Sequence, residues 1–161
     1  MELLATLVTD IPLDESRFRG VLMDVSQSAL AGAVSHVGLT AYHAFGDAET
    51  DLDVRDVEVR VRAANTAPKA ALTELEKAGF SAVTALEFRT DGSAESQDDA
   101  WALVGLYGAE LLGWVVTAYL DFEEAAYRAG TEDGLIRAPI GGRRRGVLIA
   151  ESTLRRLHFA G

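Results

Sequence analysis

The segment Val57–Phe88 constrains the fold of this chain most strongly, because it predicts a strand, a helix and a second strand in succession. Apolar residues at 57, 59, 61 and 63 alternate with charged residues at 58, 60 and 62, which is the period of a strand with one solvated face. The apolar residues at 71, 72, 75 and 78 then share one face of a helix. Asn65 or Thr66 suits the cap of that helix, Pro68 its first turn and Gly79 its end.

A glycine followed by a large apolar residue ends this helix and occurs in the same context twice more. The three pairs are Gly79 with Phe80, Gly38 with Leu39, and Gly113 with Trp114. Each follows a predicted helix and precedes a run rich in β-forming residues. We therefore predict three equivalent helix ends.

The pattern of residues 2–89 predicts the order strand, helix, strand, strand, helix, strand. Glu2–Thr9 and Val37–Phe45 are predicted strands, and helical apolar spacing begins at Phe18 after Asp14, which suits the cap. This order predicts an α+β fold of the ferredoxin-like (βαββαβ) type, a four-stranded antiparallel sheet with two helices on one face.

Residues 97–161 are expected to extend this core. The run from Ala100 to Leu120 has Glu110 as its single charge and is long enough to span a bilayer, but its flanks are acidic and lack Lys or Arg anchors. It is compatible with one long buried helix, or with a helix over 97–112 and a strand over 114–122, and we favour the second. A short helix ended by Gly130 follows.

Two apolar runs flank Gly141 and Gly142, which predicts a C-terminal hairpin with Pro139 at an edge or bulge. We predict a single domain over 1–161. It comprises a ferredoxin-like core over 2–89, a linker over 89–99, and a helix-strand and hairpin extension over 97–161.

The composition of the 161 residues excludes several kinds of site. There is no cysteine, hence no disulfide framework, thiol catalysis or thiolate metal site, and the three histidines are scattered at 36, 43 and 158. We expect neither a metal nor a cofactor. The first residues lack the basic region of a signal peptide, so we expect a cytoplasmic protein.

The charge is acidic and unevenly spread. Residues 1–128 hold 9 Lys and Arg against 22 Asp and Glu, a balance of −13, whereas residues 129–161 hold 6 against 3, a balance of +3. The net charge of −10 argues against a nucleic-acid partner, and the concentration of arginine near the end places any anion preference there.

The segment Gly141–Gly146 is the candidate anion site. Backbone N–H groups of Gly141 and Gly142 and the guanidinium groups of Arg143 and Arg145 could bind a small anionic ligand, with the side chain of residue 144 on the other face of the strand. The alternative is a solvated hairpin whose arginines offset an acidic body.

Two further residues have a functional and a structural interpretation. His43 could act as a base, but we favour an ordinary strand histidine, since no acid or nucleophile is placed beside it by the sequence. Glu110 could be a buried carboxylate with a raised pKa or could mark the solvated edge of a helix. The catalytic residues, if any, are unknown.

Three short sequence segments resemble those of ACT-type regulatory domains. They are Val8–Pro12 before a helix, His36–Leu39 before a strand, and Leu75–Phe80. The resemblance covers residues 1–89 in topology and implies a regulatory ligand-binding role. Leu13 stands where the ligand turn of that family usually has glycine.

The pattern supports three hypotheses of function. The first is a non-catalytic regulatory or protein-interaction module that binds a protein partner or itself as a homodimer. The second is an acidic inhibitor or immunity-type protein that binds a basic partner site. The third is a small enzyme that holds an anionic substrate through residues 141–146.

Overall fold

The computed structural model describes residues 2–28, 41–45, 57–90, 94–140 and 145–157. The strands in these residues are β1 (Glu2–Thr9), β2 (Ala41–Phe45), β3 (Val57–Ala63), β4 (Thr84–Thr90), β5 (Trp114–Thr117), β6 (Leu135–Pro139) and β7 (Arg145–Ala150). The helices are α1 (Glu15–Ser28), α2 (Lys69–Lys77), α3 (Ala94–Leu111), α4 (Phe122–Ala129) and α5 (Glu151–Leu154), with a 3₁₀ turn at Ala64–Thr66.

The seven strands form one sheet in the order β2-β3-β4-β1-β5-β7-β6. All neighbours are antiparallel except β2 and β3, which run parallel. The predicted α+β class is confirmed. So are the helix-strand unit, α3 with β5, and the C-terminal hairpin of β6 and β7, in which Pro139 lies on an edge strand as expected.

The strand order differs from the predicted ferredoxin-like arrangement. In a split βαβ unit a strand lies between the two parallel strands that the helix connects. Here β3 and β4, which α2 connects, are direct neighbours and antiparallel, with Ala63 opposite Thr84. The chain between them therefore leaves and re-enters the sheet at the same end.

The way α2 ends directs the chain back toward the sheet. Gly79 has φ 84°, its N–H donates to Glu76, and the N–H of Phe80 donates to Leu75, the pair of bonds of a Schellman motif. The next residues run back to β4, where Ala64 donates to the carbonyl of Val83 and closes the base of the excursion. The excursion thus acts as an elaborated hairpin loop.

The helices cover both faces of the sheet. One core holds α1, α3, α4 and α5 against the face that carries Leu7, Phe88 and Ile149. The other face carries Val8 and Leu148 and packs against α2. The two helices of the predicted core, α1 and α2, therefore lie on opposite faces rather than on one.

The helix ends agree with the sequence in part. Asp14 caps α1, since its side chain accepts from the N–H of Arg17 at 2.7 Å. Neither Asn65 nor Thr66 caps α2: they belong to the 3₁₀ turn, and Pro68 occupies the cap position without a side-chain hydrogen bond.

The run at 100–120 is a helix and then a strand, as we favoured, because α3 ends at Leu111 and β5 begins at Trp114. The strand stops at Thr117, short of the predicted 122. Among the described residues, no helix is long and apolar enough to cross a membrane.

Candidate functional site

The residues predicted as sites from the sequence are dispersed. Gly141, Gly142 and Arg143 lie outside the described residues. His43 lies in β2, where its backbone pairs with Val59, and its side chain is not described. Glu110 is exposed on α3, which contradicts a buried carboxylate and agrees with the solvated helix edge.

Arg145, the remaining predicted residue, begins β7 and lines a cleft of about 260 Å³. The cleft lies between the first turn of α4 and the end of the hairpin at which β6 stops and β7 begins. Its walls are Asp121, Phe122 and Glu123 from the helix side, and Arg137, Ala138, Pro139, Arg145 and Gly146 from the strands.

The register of the hairpin brings two arginines to one side of the sheet. Pro139 lies opposite Arg145, and Arg137 lies opposite Val147. Side chains two residues apart on a strand share a face, so Arg137 is the diagonal neighbour of Arg145. Such diagonal positions are roughly 7–8 Å apart.

The helix side of the cleft is fixed by a cap. Asp121 precedes α4 in extended conformation, and its Oδ1 accepts from the N–H of Glu124 at 2.8 Å. The capping carboxylate accepts a hydrogen bond from one of the first N–H groups of the helix, and its negative charge is stabilised by the positive end of the helix dipole. This holds the first turn of α4, with Phe122 and Glu123, over the strands.

Arg137 is held by two partners on that turn. Its guanidinium carbon lies 3.9 Å from the centre of the Phe122 ring, a cation–π contact. Its Nη2 lies 2.9 Å from the Oε1 of Glu123. Both side chains of the ion pair are more than half exposed, so the pair contributes little to stability but orients the guanidinium.

Arg145 differs from Arg137 in its surroundings. In the part of the chain that the structure describes, no carboxylate lies within ion-pair distance of Arg145, which is exposed at the cleft. The neighbouring Gly146 is buried, and a Cβ there would collide with the side chain of Ile140 and the carbonyl oxygen of Thr117. The strand that presents Arg145 is thus closely packed behind it.

A second charged cluster lies on β3 and β4, and its charges are already paired. Arg60 pairs with Glu58, while Arg62 and Arg89 lie 3.5 and 3.6 Å from the carboxylate of Glu87. These side chains are partly buried, and the ion pairs run along each strand (Arg60 with Glu58, Arg89 with Glu87) as well as across the two strands (Arg62 with Glu87). The cleft is therefore the stronger candidate site.

The described residues contain no group of three or more His, Asp or Glu side chains that could hold a metal ion. The cleft presents guanidinium and carboxylate groups, which bind charged ligands by paired hydrogen bonds.

The sequence pointed to Arg145 and missed the rest of the cleft. A signal for Arg137 existed, because a hairpin that pairs Pro139 with Arg145 places residue 137 on the same face. Asp121 stands before an amphipathic helix and could have been read as its cap. Nothing local indicates that Phe122 meets Arg137, since that contact depends on the packing of α4 against β6.

Comparisons of this chain with profiles of known protein families, with curated proteins and with solved structures find no match.

Proposed function

We propose that this chain is a non-catalytic regulatory module of small α+β type that binds a small charged molecule in the cleft between α4 and the β6–β7 hairpin. The observation that carries the proposal is Arg145: it lines the cleft and has no carboxylate partner among the described residues. A guanidinium in that position is available to a ligand carboxylate or phosphate.

The size of the cleft supports a small ligand. Its volume of about 260 Å³ lies just below the range for ligand pockets, about 300–1,000 Å³. The expected ligand is a small metabolite rather than a nucleotide or a peptide segment.

The position of the cleft supports a regulatory role. Its walls come from α4, β6 and β7, so a ligand that contacts Arg145 and the first turn of α4 would tie the helix to the hairpin. Because such a ligand binds the folded state alone, it stabilises that state, by about 2.7 kcal/mol at a hundred times Kd. Occupancy would thereby change the rigidity of this edge of the sheet.

The test is a binding titration with acetate and with inorganic phosphate, in which binding is measured by calorimetry and by the change in melting temperature. We expect the unmutated protein to bind at least one of them, and Arg145→Gln to weaken that binding at least tenfold. Arg155→Gln is the matched control, since Arg155 is an exposed arginine outside the cleft lining, paired with Glu151 at 2.8 Å. The added molecule should be recovered unchanged by NMR after prolonged incubation.

Absence of binding by the unmutated protein, or equal loss in both variants, would overturn the proposal. Chemical conversion of a bound probe would replace it with the enzyme hypothesis.

A second function, the acidic inhibitor, is favoured by Tyr127. This side chain is 88% exposed on α4, and Glu123 and Glu124 lie one turn earlier on the same face of the helix. Tyrosine is enriched among the residues that dominate protein interfaces. The test is a pull-down with the native host's proteins in which Tyr127→Ala loses a basic partner and Tyr119→Ala does not.

A further inference from the structure

We infer that the ligand of the cleft is a small zwitterion, a molecule that carries a carboxylate and an ammonium group on one short carbon chain. This inference rests on the proposed function and adds the chemical class of the ligand. It follows from which charged atoms of the cleft are already engaged and which are not.

Among the residues that the structure describes, four charged side chains line the cleft, two of each sign. They are Asp121, Glu123, Arg137 and Arg145. Glu123 and Arg137 satisfy each other at 2.9 Å, and the ring of Phe122 covers one face of the guanidinium. A ligand gains little from these two groups, because it would have to break their ion pair first.

The other two groups are each open to a ligand. Asp121 uses Oδ1 to cap α4, accepting from the N–H of Glu124 at 2.8 Å, and no contact of its second oxygen occurs among the described residues. Arg145 likewise has no ion-pair partner among the described residues. The cleft thus offers one guanidinium and one carboxylate oxygen, a cation and an anion in the same cavity.

This pairing disfavours a ligand of a single charge. An anion on Arg145 is repelled by Asp121, and a cation on Asp121 is repelled by Arg145, whereas the charges of Glu123 and Arg137 offset each other. A zwitterion with the right separation of charges turns each repulsion into an attraction, since its two ends face groups of opposite sign. Specificity then comes from the unfavourable contacts of the wrong ligands as well as from the favourable contacts of the right one.

The length of the ligand is measured with a ladder of probes. Glycine, β-alanine and γ-aminobutyrate differ only in the separation of the two charges, while propionate and propylammonium carry one charge each. Affinities are measured by calorimetry at low ionic strength, where screening of exposed charges is weakest. We expect one zwitterion of the ladder to bind at least tenfold more tightly than both singly charged probes.

Two variants assign the two ends of the ligand. Asp121→Asn keeps the capping oxygen of α4, because asparagine caps helices as well as aspartate does. It should bind the preferred zwitterion no better than propionate. Arg145→Gln should lose propionate and the zwitterion together. Asp133→Asn, an exposed carboxylate outside the cleft lining, is the control and should leave all affinities unchanged.

The outcomes separate this inference from the proposed function. If propionate binds as tightly as every zwitterion and Asp121→Asn has no effect, the cleft is an anion site and the inference fails alone. If no probe binds the unmutated protein, both are overturned. A preference for a zwitterion that survives in Arg145→Gln and in Asp121→Asn would place the site elsewhere and overturn both as well.

Discussion

A Cβ atom on Gly113 would lie 2.5 Å from the carbonyl oxygen of Val8 and 2.8 Å from the side chain of Leu7. The backbones of β1 and of the turn that leads from α3 into β5 therefore touch at this point. The contact lies beside the central strand of the sheet, where Val8 pairs with Trp114. Glycine is required at position 113 by lack of space.

We predict that Gly113→Ala lowers the free energy of unfolding by about 1–3 kcal/mol, the usual cost of forcing extra atoms into a packed region. Gly79→Ala should cost about 1–2 kcal/mol for a different reason: residue 79 has φ 84° and nothing within 4 Å of its Cβ position. Urea unfolding curves measure both changes.

Gly20→Ala is the matched control, because Gly20 lies in α1 with nothing within 4 Å. It should stabilise the protein by about 0.5–1 kcal/mol, since alanine is the better helix former. A Gly113→Ala variant as stable as Gly20→Ala would mean that β1 moves away from the turn at no cost.

These glycines show what the sequence could and could not predict. The pattern of a glycine before a large apolar residue correctly marked the ends of α2 and α3, but it predicted one cause for both. At the end of α3 the left-handed residue is Leu112, with φ 49°, and Gly113 follows it. Both a left-handed backbone and a lack of space favour glycine, so the sequence alone cannot tell the two causes apart. Gly38, the third member, lies outside the described residues.

The same limit applies to the fold. Periodicity predicted most of the elements, because the period depends on local geometry alone. Strand order depends on where each connection returns, and the bond from Ala64 to Val83 that brings β4 back beside β3 joins residues far apart in the sequence. The cleft was missed for that reason too: only Arg145 belongs to a local motif, whereas Asp121 and Arg137 reach it through the packing of α4 on the hairpin.

Leu112 should be replaceable with a gain in stability. Its side chain is 62% exposed, so little apolar contact is lost, and a leucine in the left-handed region costs about 1–2 kcal/mol. We expect Leu112→Gly to raise the free energy of unfolding by up to about 1 kcal/mol, because the added freedom of glycine in the unfolded chain offsets part of the gain. Leu112→Ala keeps the Cβ and should be nearly neutral; a glycine variant no more stable than the alanine variant would contradict the argument.

Because Tyr107 is buried, we predict that the stability of the protein decreases at alkaline pH. This tyrosine is wholly buried, stacked on Phe18 at 6.3 Å and edge-on to Phe88 at 5.6 Å, and burial raises the pKa of its hydroxyl. In the unfolded chain the pKa of tyrosine is about 10. Above that pH the unfolded state binds fewer protons than the folded state, so the free energy of unfolding falls as pH rises.

For one such group, the free energy of unfolding falls by at most about 1.4 kcal/mol per pH unit. Urea unfolding between pH 8 and 11 should show the stability of the unmutated protein falling above about pH 10, and a shallower fall in Tyr107→Phe. Tyr127→Phe, which changes a tyrosine that is 88% exposed, should keep the original slope. Parallel curves for the unmutated protein and Tyr107→Phe would refute the role of Tyr107.

The last prediction concerns Thr117, whose buried hydroxyl donates to the carbonyl oxygen of Leu4 at 2.8 Å. The ladder between β1 and β4 shifts register between Leu3 and Ala5, so Leu4 has no partner in it. The same hydroxyl accepts from the N–H of Tyr119 at 3.0 Å. Thr117→Val keeps the shape but leaves both backbone groups unpaired, which should cost about 1–3 kcal/mol. Thr117→Ser keeps both bonds and should lose only about 0.8 kcal/mol with the methyl group. If the valine variant unfolds at the same urea concentration as the serine variant, the hydroxyl is not what holds the irregular strand in place.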